Sequence, residues 1–316
     1  MDRNLNGYQF YLREECGRTE QTIAAYLGDL QRFRRFLDAR DTDETLRWEE
    51  VEANDIRDWF ASLHSPSAPY LRRLRSSVLR FYEYLIHVKK ITASNPVKEI
   101  ASRKKPFRYP PALTVSESAQ LAEAAFKHSS LQNRTRNKAA IIFLLHTGLR
   151  ISEFCAMRQQ DIGNKNGQLH SVRVIGKGDK ERKIILSEQA QQALHQWLQK
   201  REVLLKKLPP ERLNEDYVWL TTSGRYAGHV WHNDSVRQMV IKMGKLAGIP
   251  KHVHPHLLRH TFATEAVRAG AKLHVLSEAL GHSSLAMTGI YLHADEADLE
   301  DVAAILSQAM RFSDVT

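Results

Sequence analysis

The segment from Leu280 to Tyr291, which reads LGHSSLAMTGIY, is the part of the chain around which the rest is organised. It closes an apolar run with helical spacing, so Gly281 fits the left-handed position at which helices commonly end. His282 then lies in the turn that follows, and either of the next two serines can cap another helix. That second helix would carry Tyr291 within its first few turns.

A tyrosine phenol has a pKa of about 10 in water. It is a poor nucleophile unless its target is held and the developing charge is offset. The nearest strong candidates for these roles are His256 and Arg259, which are three residues apart and share one face of a helix. Taken alone, Tyr291 would more often be an ordinary packed or surface aromatic residue, and His282 an ordinary turn residue. The joint pattern decides between these interpretations.

Four blocks make up that pattern, and they occur in this order: HTGLRISE (146–153), GKGDKER (176–182), HLLRHTFAT (256–264), and LGH (280–282) with Tyr291. Each block alone is weak evidence, whereas all four in this order are specific. Together they resemble the tyrosine recombinases, the phage-integrase family. The resemblance spans nearly the whole chain, because the N-terminal part is also similar to the DNA-clamping domain of that family.

The resemblance implies a mainly α fold with a small β-sheet (α+β). A helical core-binding domain over residues 1–100 would precede a mixed helical catalytic domain of the DNA breaking-rejoining type over residues 112–316. Residues 101–111 are basic and rich in proline, and they have no periodic pattern, so we expect an extended linker there. Such a linker would let the two domains close around a duplex. No long segment precedes the first predicted helix, which favours the two-domain plan of Xer-type members.

The resemblance also implies a reaction. Tyr291 would attack a DNA backbone phosphate, displace the 5′ oxygen and form a 3′-phosphotyrosyl link. Arg150 and Arg259 would hold the non-bridging oxygens, where negative charge gathers. Lys177 would protonate the departing oxygen. An alternating pattern on both sides of residues 176–180 predicts a hairpin that presents this lysine, although most loop lysines are merely solvated.

Two histidines complete the implied site. His256 would assist proton transfer from Tyr291, and His282 would hydrogen-bond the phosphate. Four histidines between residues 251 and 260 also raise the alternative of a zinc site. Their alternating spacing and the lack of a nearby cysteine argue against zinc. We expect no metal and no cofactor, because in this family arginines take the place of a divalent ion.

Arg150 lies among apolar residues, where an unpaired guanidinium is costly to bury. It can form a structural salt bridge with Glu153, or it can point at a phosphate while Glu153 steadies it. These two interpretations are compatible, and both remain open from the sequence.

The N-terminal hundred residues show the periodicity of four helices. The fourth carries Arg72, Arg73 and Arg75 opposite its apolar face. A run of charge is usually a solvated face, but arginine forks also match phosphate oxygens. Since the family's N-terminal domain binds DNA with such helices, we expect these arginines, together with Thr22 and Tyr26, to contact DNA.

Composition agrees with a nucleic-acid partner. The chain has 316 residues and a formal net charge of +10, which favours a polyanion. Cys16 and Cys155 are its only cysteines, so a disulfide framework is implausible and a reducing cytosol fits. No apolar run is long enough for a membrane span, and the N-terminus lacks a signal core.

The partners that the resemblance implies are double-stranded DNA, further copies of the chain and accessory DNA-binding proteins. Residues 297–310 predict an amphipathic helix, which in this family docks into a neighbouring protomer of a tetramer. Two rival functions remain: a type IB topoisomerase that relaxes one duplex, and a DNA-binding regulator without catalysis. All six catalytic-type residues are present, which argues against the regulator.

Overall fold

The computed structural model describes residues 2–40, 46–101, 111–176, 180–209 and 215–281. The chain divides into two compact units, Met1–Pro106 and Phe107–Thr316, each with its own core. Both are mainly helical, and the second contains a small antiparallel sheet, which confirms the predicted fold class. Most of the predicted linker, residues 102–110, lies outside the described residues. Within the described residues, no helix is long and apolar enough to cross a membrane.

Unit 1 is a helical domain. Its helices are α1 (Arg3–Phe10), α2 (Glu20–Arg40), α3 (Ala53–Ser62) and α4 (Ala68–Tyr84). Side-chain caps define where three of them begin, since the oxygens of Asp2, Thr19 and Ser67 accept hydrogen bonds from backbone N–H groups in the first turns of α1, α2 and α4. A threonine just before an apolar run is a predicted N-cap in the sequence, and Thr19 confirms this prediction.

Aromatic side chains fill the centre of unit 1. The ring of Phe81 on α4 is fully buried and lies 5.3 Å from Tyr8 and 4.8 Å from Trp48, edge to face. Phe33 on α2 stacks on Trp59 of α3 at 4.6 Å. Such ring pairs add to the free energy gained by burying their area. Helical spacing in the sequence predicts an apolar stripe on α2, formed by Ile23, Leu27, Leu30, Phe33 and Leu37. The structure confirms this stripe, because four of these five residues are buried in this cluster.

Unit 2 is built around a buried helix. Its elements are α5 (Val115–Lys127), α6 (Arg134–Thr147), α7 (Ile151–Ala156), β1 (Ile162–Lys165), β2 (Gln168–Ile175), β3 (Glu181–Ile185), α8 (Glu188–Leu205), α9 (Asn233–Leu246), α10 (Pro255–Arg268) and α11 (Leu273–Leu280). Helix α6 packs against α5, α8 and α10. Its residues Ala140, Ile141 and Phe143 have no exposed surface.

The three strands pair antiparallel in the order β1-β2-β3. Ladder pairs between β2 and β3 run from Ser171 with Ile185 to Ile175 with Glu181, so the predicted hairpin is confirmed. The N–H of Gly176 donates to the carbonyl of Lys180 at 2.9 Å and closes the ladder at the turn. Lys177, which follows Gly176 in the sequence, lies outside the described residues.

The sequence predicts a short strand over residues 217–220, and this prediction is wrong. Only single bridges occur there, from Tyr217 to Arg158 and from Leu220 to Val230. The physical reason is that side chains of α8 take the carbonyls a ladder would need. Trp197 donates to the carbonyl of Val218 at 2.8 Å, and Arg201 donates to that of Tyr217 at 2.9 Å.

Replacing Phe81 by alanine tests the aromatic core. We expect Phe81→Ala to lower the free energy of unfolding by about 3–5 kcal/mol, because it leaves a cavity among packed rings. The matched control is Phe10→Ala, since Phe10 is 63% exposed. That change should stay within about 0.5 kcal/mol. Urea denaturation followed by tryptophan fluorescence measures both, and equal losses would contradict this description of the core.

Candidate active site

The first candidate side chain, Arg150, is placed by a glycine turn. Helix α6 ends at Gly148, which has φ +60°. A side chain there would be strained, and a Cβ would also overlap the ring of Phe262 on α10. The chain therefore turns sharply, and Arg150 becomes the residue that precedes α7.

Glu153 completes the start of α7. Its carboxylate accepts a hydrogen bond from the backbone N–H of Arg150 at 2.9 Å and forms an ion pair with the guanidinium at 2.9 Å. The structural interpretation of Arg150 is thus confirmed. About a third of its side chain, 34%, nevertheless remains exposed, which leaves it able to meet a ligand.

Helix α10 positions His256 and Arg259. Pro255 occupies its first position, and Nδ1 of His254 accepts a hydrogen bond from the N–H of Leu257 at 3.2 Å. His254 therefore has a structural role in capping this helix. Its ring centroid lies 5.5 Å from that of His252 and 6.4 Å from that of His256.

Arg259 is buried, with 5% of its surface exposed. Its Nη1 donates to the carbonyl of Gly148 at 2.7 Å, and its Nη2 donates to the carbonyl of Leu280 at 2.6 Å. One guanidinium thereby joins the C-terminal ends of α6 and α11. Because Gly148 is close to Arg150 in the chain, this contact also brings the two predicted phosphate-binding arginines to one place.

Helix α11 ends as the sequence predicted, at Gly281 with φ +64°. The last carbonyls of a helix lack partners within the helix and carry a partial negative charge. Each of three consecutive carbonyls here accepts from a different arginine: Ala279 from Arg182 at 2.8 Å, Leu280 from Arg259 at 2.6 Å, and Gly281 from Arg150 at 3.0 Å. Three guanidiniums therefore surround the end of α11.

Arg182 on β3 is the member of this cluster to which the sequence gave no role. Its Nη1 and Nη2 donate to the two carboxylate oxygens of Glu153 at 3.0 and 2.7 Å. Burial alone would raise the pKa of Glu153, but the hydrogen bonds and charge of Arg182, together with those of Arg150, hold this pKa below its ordinary value. The carboxylate therefore stays ionised between two guanidiniums. The only feature of the sequence that could have indicated a role for Arg182 was its position in a short alternating strand.

His256 projects from α10 with its imidazole accessible to solvent. Partial burial lowers its pKa, and the positive charges of Arg259, Arg150 and Arg237 lower it further. A lowered pKa keeps the ring neutral at neutral pH, which is the form that accepts a proton. The other two predicted site residues, His282 and Tyr291, lie outside the described residues; in the sequence, His282 directly follows Gly281.

Two of the three predicted DNA-contacting arginines of α4 have partners within unit 1. Arg73 forms an ion pair at 2.7 Å with Asp29, a carboxylate that is 1% exposed, and its guanidinium lies 5.2 Å from the ring centre of Tyr70. Arg73 itself remains 42% exposed. Arg75 donates from Nη2 to the carbonyls of Val97 and Ile100, both at 3.1 Å. Arg75 thus also has a structural role, which the sequence did not suggest.

The remaining predicted contacts of unit 1 are partly exposed. Arg72 lies on α4, and Thr22 and Tyr26 lie one turn apart on α2. The hydroxyls of Thr22 and Thr19 are 3.0 Å apart, within the cap of α2. No DNA is present, so contact with DNA stays a prediction for all five residues.

The folds of the two units are those of a tyrosine recombinase. The chain belongs to the phage integrase family: the model described by that name matches residues 112–298, and the model of the phage integrase N-terminal SAM-like domain matches residues 5–89.

Named relatives agree with this assignment. The chain is 30% identical to the tyrosine recombinase XerD of Oceanobacillus iheyensis over 301 residues, which cover 94% of this chain and 96% of that protein. It is 31% identical to the tyrosine recombinase XerC of Thermodesulfovibrio yellowstonii over 300 residues, or 94% of each chain.

A solved structure supports the fold. The chain is similar to the XerH site-specific recombinase, whose structure is a post-cleavage complex with a palindromic difH substrate, with a TM-score of 0.71 and 24% identity. The match covers 91% of this chain and 80% of that one.

His260, beside the site on α10, provides a test of burial and charge. Burial lowers its pKa to about 4, and the charges of His256, His254 and Arg259 act in the same direction. An unfolded histidine has a pKa of about 6.5. As the pH falls, His260 is therefore protonated in the unfolded chain before it is protonated in the folded chain. The contribution of neutral His260 to the free energy of unfolding is complete above the unfolded pKa and is lost as the pH falls towards the folded pKa.

We expect NMR titration of the folded protein to give a midpoint for His260 of about 4. The variant His260→Gln assigns the signal, and its stability relative to the wild type should rise as the pH is lowered. A midpoint close to that of an unfolded histidine would contradict the described environment.

Proposed function

We propose that the protein recombines DNA at specific sites, in integration, excision or resolution, by cutting and rejoining strands through a 3′-phosphotyrosyl intermediate. The observation that carries the proposal is the convergence of Arg150 and Arg259 on the adjacent carbonyls of Gly281 and Leu280. Two guanidiniums at one place suit a phosphate, because their N–H groups match its oxygens. The relatives named above are tyrosine recombinases, which supports the same assignment.

In the proposed reaction, the hydroxyl oxygen of Tyr291 bonds to phosphorus and the bond from phosphorus to the 5′ oxygen breaks. His256 assists removal of the phenol proton, and Lys177 gives a proton to the 5′ oxygen. The neutral state of His256 at neutral pH fits this role. A 5′-hydroxyl attacks the phosphotyrosyl link in reverse and reseals the strand, so no external energy source is required.

The arginines supply the electrostatic part. Negative charge grows on the non-bridging oxygens in the transition state, and donors that are already in place there stabilise it. Arg150 and Arg259 hold these oxygens, and His282 hydrogen-bonds the same phosphate. Because guanidiniums offset the charge, the proposed reaction uses no metal and no cofactor.

Substrate binding is assigned to both units. Residues 1–100 act as the core-binding domain and residues 112–316 as the catalytic domain, with residues 101–111 as the linker, and each domain binds double-stranded DNA. The exposed guanidinium of Arg73, held by buried Asp29, is the best-positioned candidate for a phosphate contact in unit 1. Strand exchange requires two duplexes, and therefore a tetramer in the synapse. We place this activity in the cytoplasm, with accessory DNA-binding proteins where the site requires them.

Changing Tyr291 to phenylalanine removes the proposed nucleophile. We expect Tyr291→Phe to abolish covalent capture of DNA while leaving its binding unchanged, because only one oxygen is lost. The substrate is a nicked duplex carrying a site that the full chain selects from a random library. Denaturing gels detect the covalent complex, and gel shifts detect binding.

Covalent capture by the phenylalanine variant would refute the assigned nucleophile. A plasmid with two selected sites then distinguishes the outcomes of the wild type. Recombinant products in the presence of EDTA support the proposal, whereas relaxed circles alone indicate a topoisomerase, and neither product indicates a regulator.

Removing residues 297–316 tests the proposed assembly segment. We expect this deletion to weaken formation of the synapse more than binding of one protomer to one half-site, because the segment docks into a neighbouring protomer. Analytical ultracentrifugation and gel shifts on half-site and full-site DNA measure the two steps. An equal loss in both would contradict the docking role.

A further inference from the structure

Arg182 lies at the start of β3, next to the hairpin turn, and is almost wholly buried, with 7% of its side chain exposed. Each nitrogen of its guanidinium has a protein acceptor. Nε donates to the carbonyl of Ala279 at the end of α11, and the two terminal nitrogens donate to Glu153 at the start of α7. One side chain thereby joins three elements that are far apart in sequence.

Two glycines leave the space that this guanidinium occupies. A Cβ at Gly281 would lie 3.1 Å from Nη1 of Arg182, and a Cβ at Gly176 would lie 3.4 Å from the same atom. The first distance is tighter than ordinary van der Waals contact, so a side chain at position 281 would require the guanidinium to shift by a few tenths of an ångström. The guanidinium is therefore enclosed and held at three points.

The charges around Glu153 give this arrangement a functional meaning. Arg150 and Arg182 share the carboxylate of Glu153, so the group of three carries a net charge of +1. Without Arg182, the negative charge of Glu153 would be balanced by Arg150 alone, and the net charge would be zero. Arg150, the more exposed of the two arginines, would then attract a phosphate less strongly.

Arg182 also fixes the positions of the Glu153 carboxylate and of the end of α11. A carboxylate held at both oxygens by Arg182 presents one fixed oxygen to Nη1 of Arg150. The bond to Ala279 fixes the end of α11, from which the chain continues directly to His282. Misplacing a reacting group by about 1 Å costs on the order of 100-fold in rate.

We propose that Arg182 is a positioning residue of the strand-transfer site. It neutralises Glu153 so that Arg150 keeps its positive charge for the DNA phosphate, and it fixes the end of α11 relative to Arg150. This inference rests on the proposed function and extends it to a residue that does not itself meet the substrate.

A merely structural role is the alternative, and the fold offers a way to separate the two. The end of α11 is also held by Arg150 and Arg259, and β3 is held by its ladder with β2. Loss of Arg182 should therefore leave a folded chain. The measured rate of cleavage per folded molecule then reports on the site itself.

The test compares single-turnover cleavage of the nicked duplex by the wild type, Arg182→Gln, Glu153→Gln and the double variant. We expect Arg182→Gln to cleave about 100-fold more slowly. Its overall binding of DNA should weaken only slightly, because the scissile phosphate is one of many backbone contacts. In the double variant, the neutral amide no longer offsets the charge of Arg150. The double variant should thus cleave about tenfold faster than Arg182→Gln alone, a difference that corresponds to about 1.4 kcal/mol.

The matched control is Arg173→Gln. Arg173 lies on the neighbouring strand β2. It forms ion pairs with Asp161 and Glu181, and 44% of its side chain is exposed. The variant Arg173→Gln should cleave DNA at the wild-type rate. Thermal unfolding of every variant confirms the folded fraction. A double variant as slow as Arg182→Gln, or a rate for Arg182→Gln equal to that of the control, would overturn the inference.

A readout without cleavage separates this inference from the proposed function. The charge of Arg150 contributes to the lowered pKa of His256, so a more negative site should raise that pKa. We expect NMR titration to give a higher midpoint for His256 in Arg182→Gln than in the wild type, and a return towards the wild type in the double variant. An unchanged midpoint would count against the inference even if the wild type cleaves DNA, whereas failure of the wild type to cleave would refute only the proposed function.

Discussion

The end of α11 depends on three guanidiniums for the hydrogen bonds that its helix cannot supply. Each guanidinium donates to one carbonyl there, and the three guanidiniums are those of Arg182 on β3, Arg259 on α10 and Arg150 just before α7. These contacts bring separate elements of unit 2 to one point. They also gather positive charge beside the residue that leads to His282 and Tyr291, and such a concentration of donors is what a phosphate in transfer requires.

Much of this arrangement could be predicted from the sequence because it is local. Gly148 and Gly281 adopt left-handed conformations that end helices. In the sequence, each glycine follows an apolar run with helical spacing, and this pattern predicts a helix end at both positions. The pairing of Arg150 with Glu153 follows from their spacing at a helix start. The hairpin of β2 and β3 follows from alternation on both sides of a glycine-rich turn.

The rest could not be predicted, because it depends on contacts between distant residues. The residues next to Arg182 in the sequence do not show that it hydrogen-bonds Glu153 and Ala279. Nor do the neighbours of Arg75 show that it donates to a backbone carbonyl of a later segment. Arg136 is a further case. It is buried against the ring of Trp231 at 3.7 Å, and desolvation lowers its pKa to about 9, and nothing in the local sequence indicates this burial. The strand predicted at residues 217–220 failed for the same reason, since side chains of α8 take its carbonyls.

The central claim is that guanidiniums stabilise charge on the phosphate that Tyr291 attacks. The most direct measurement compares cleavage of ordinary DNA with cleavage of DNA that carries a neutral methylphosphonate at the scissile position. Wild type and Arg150→Gln are assayed on both, because Arg150 is the more exposed of the two predicted phosphate-binding arginines. The rate penalty of the variant should be on the order of 100-fold on ordinary DNA and should shrink markedly on the neutral substrate. An equal penalty on both substrates would contradict the claim.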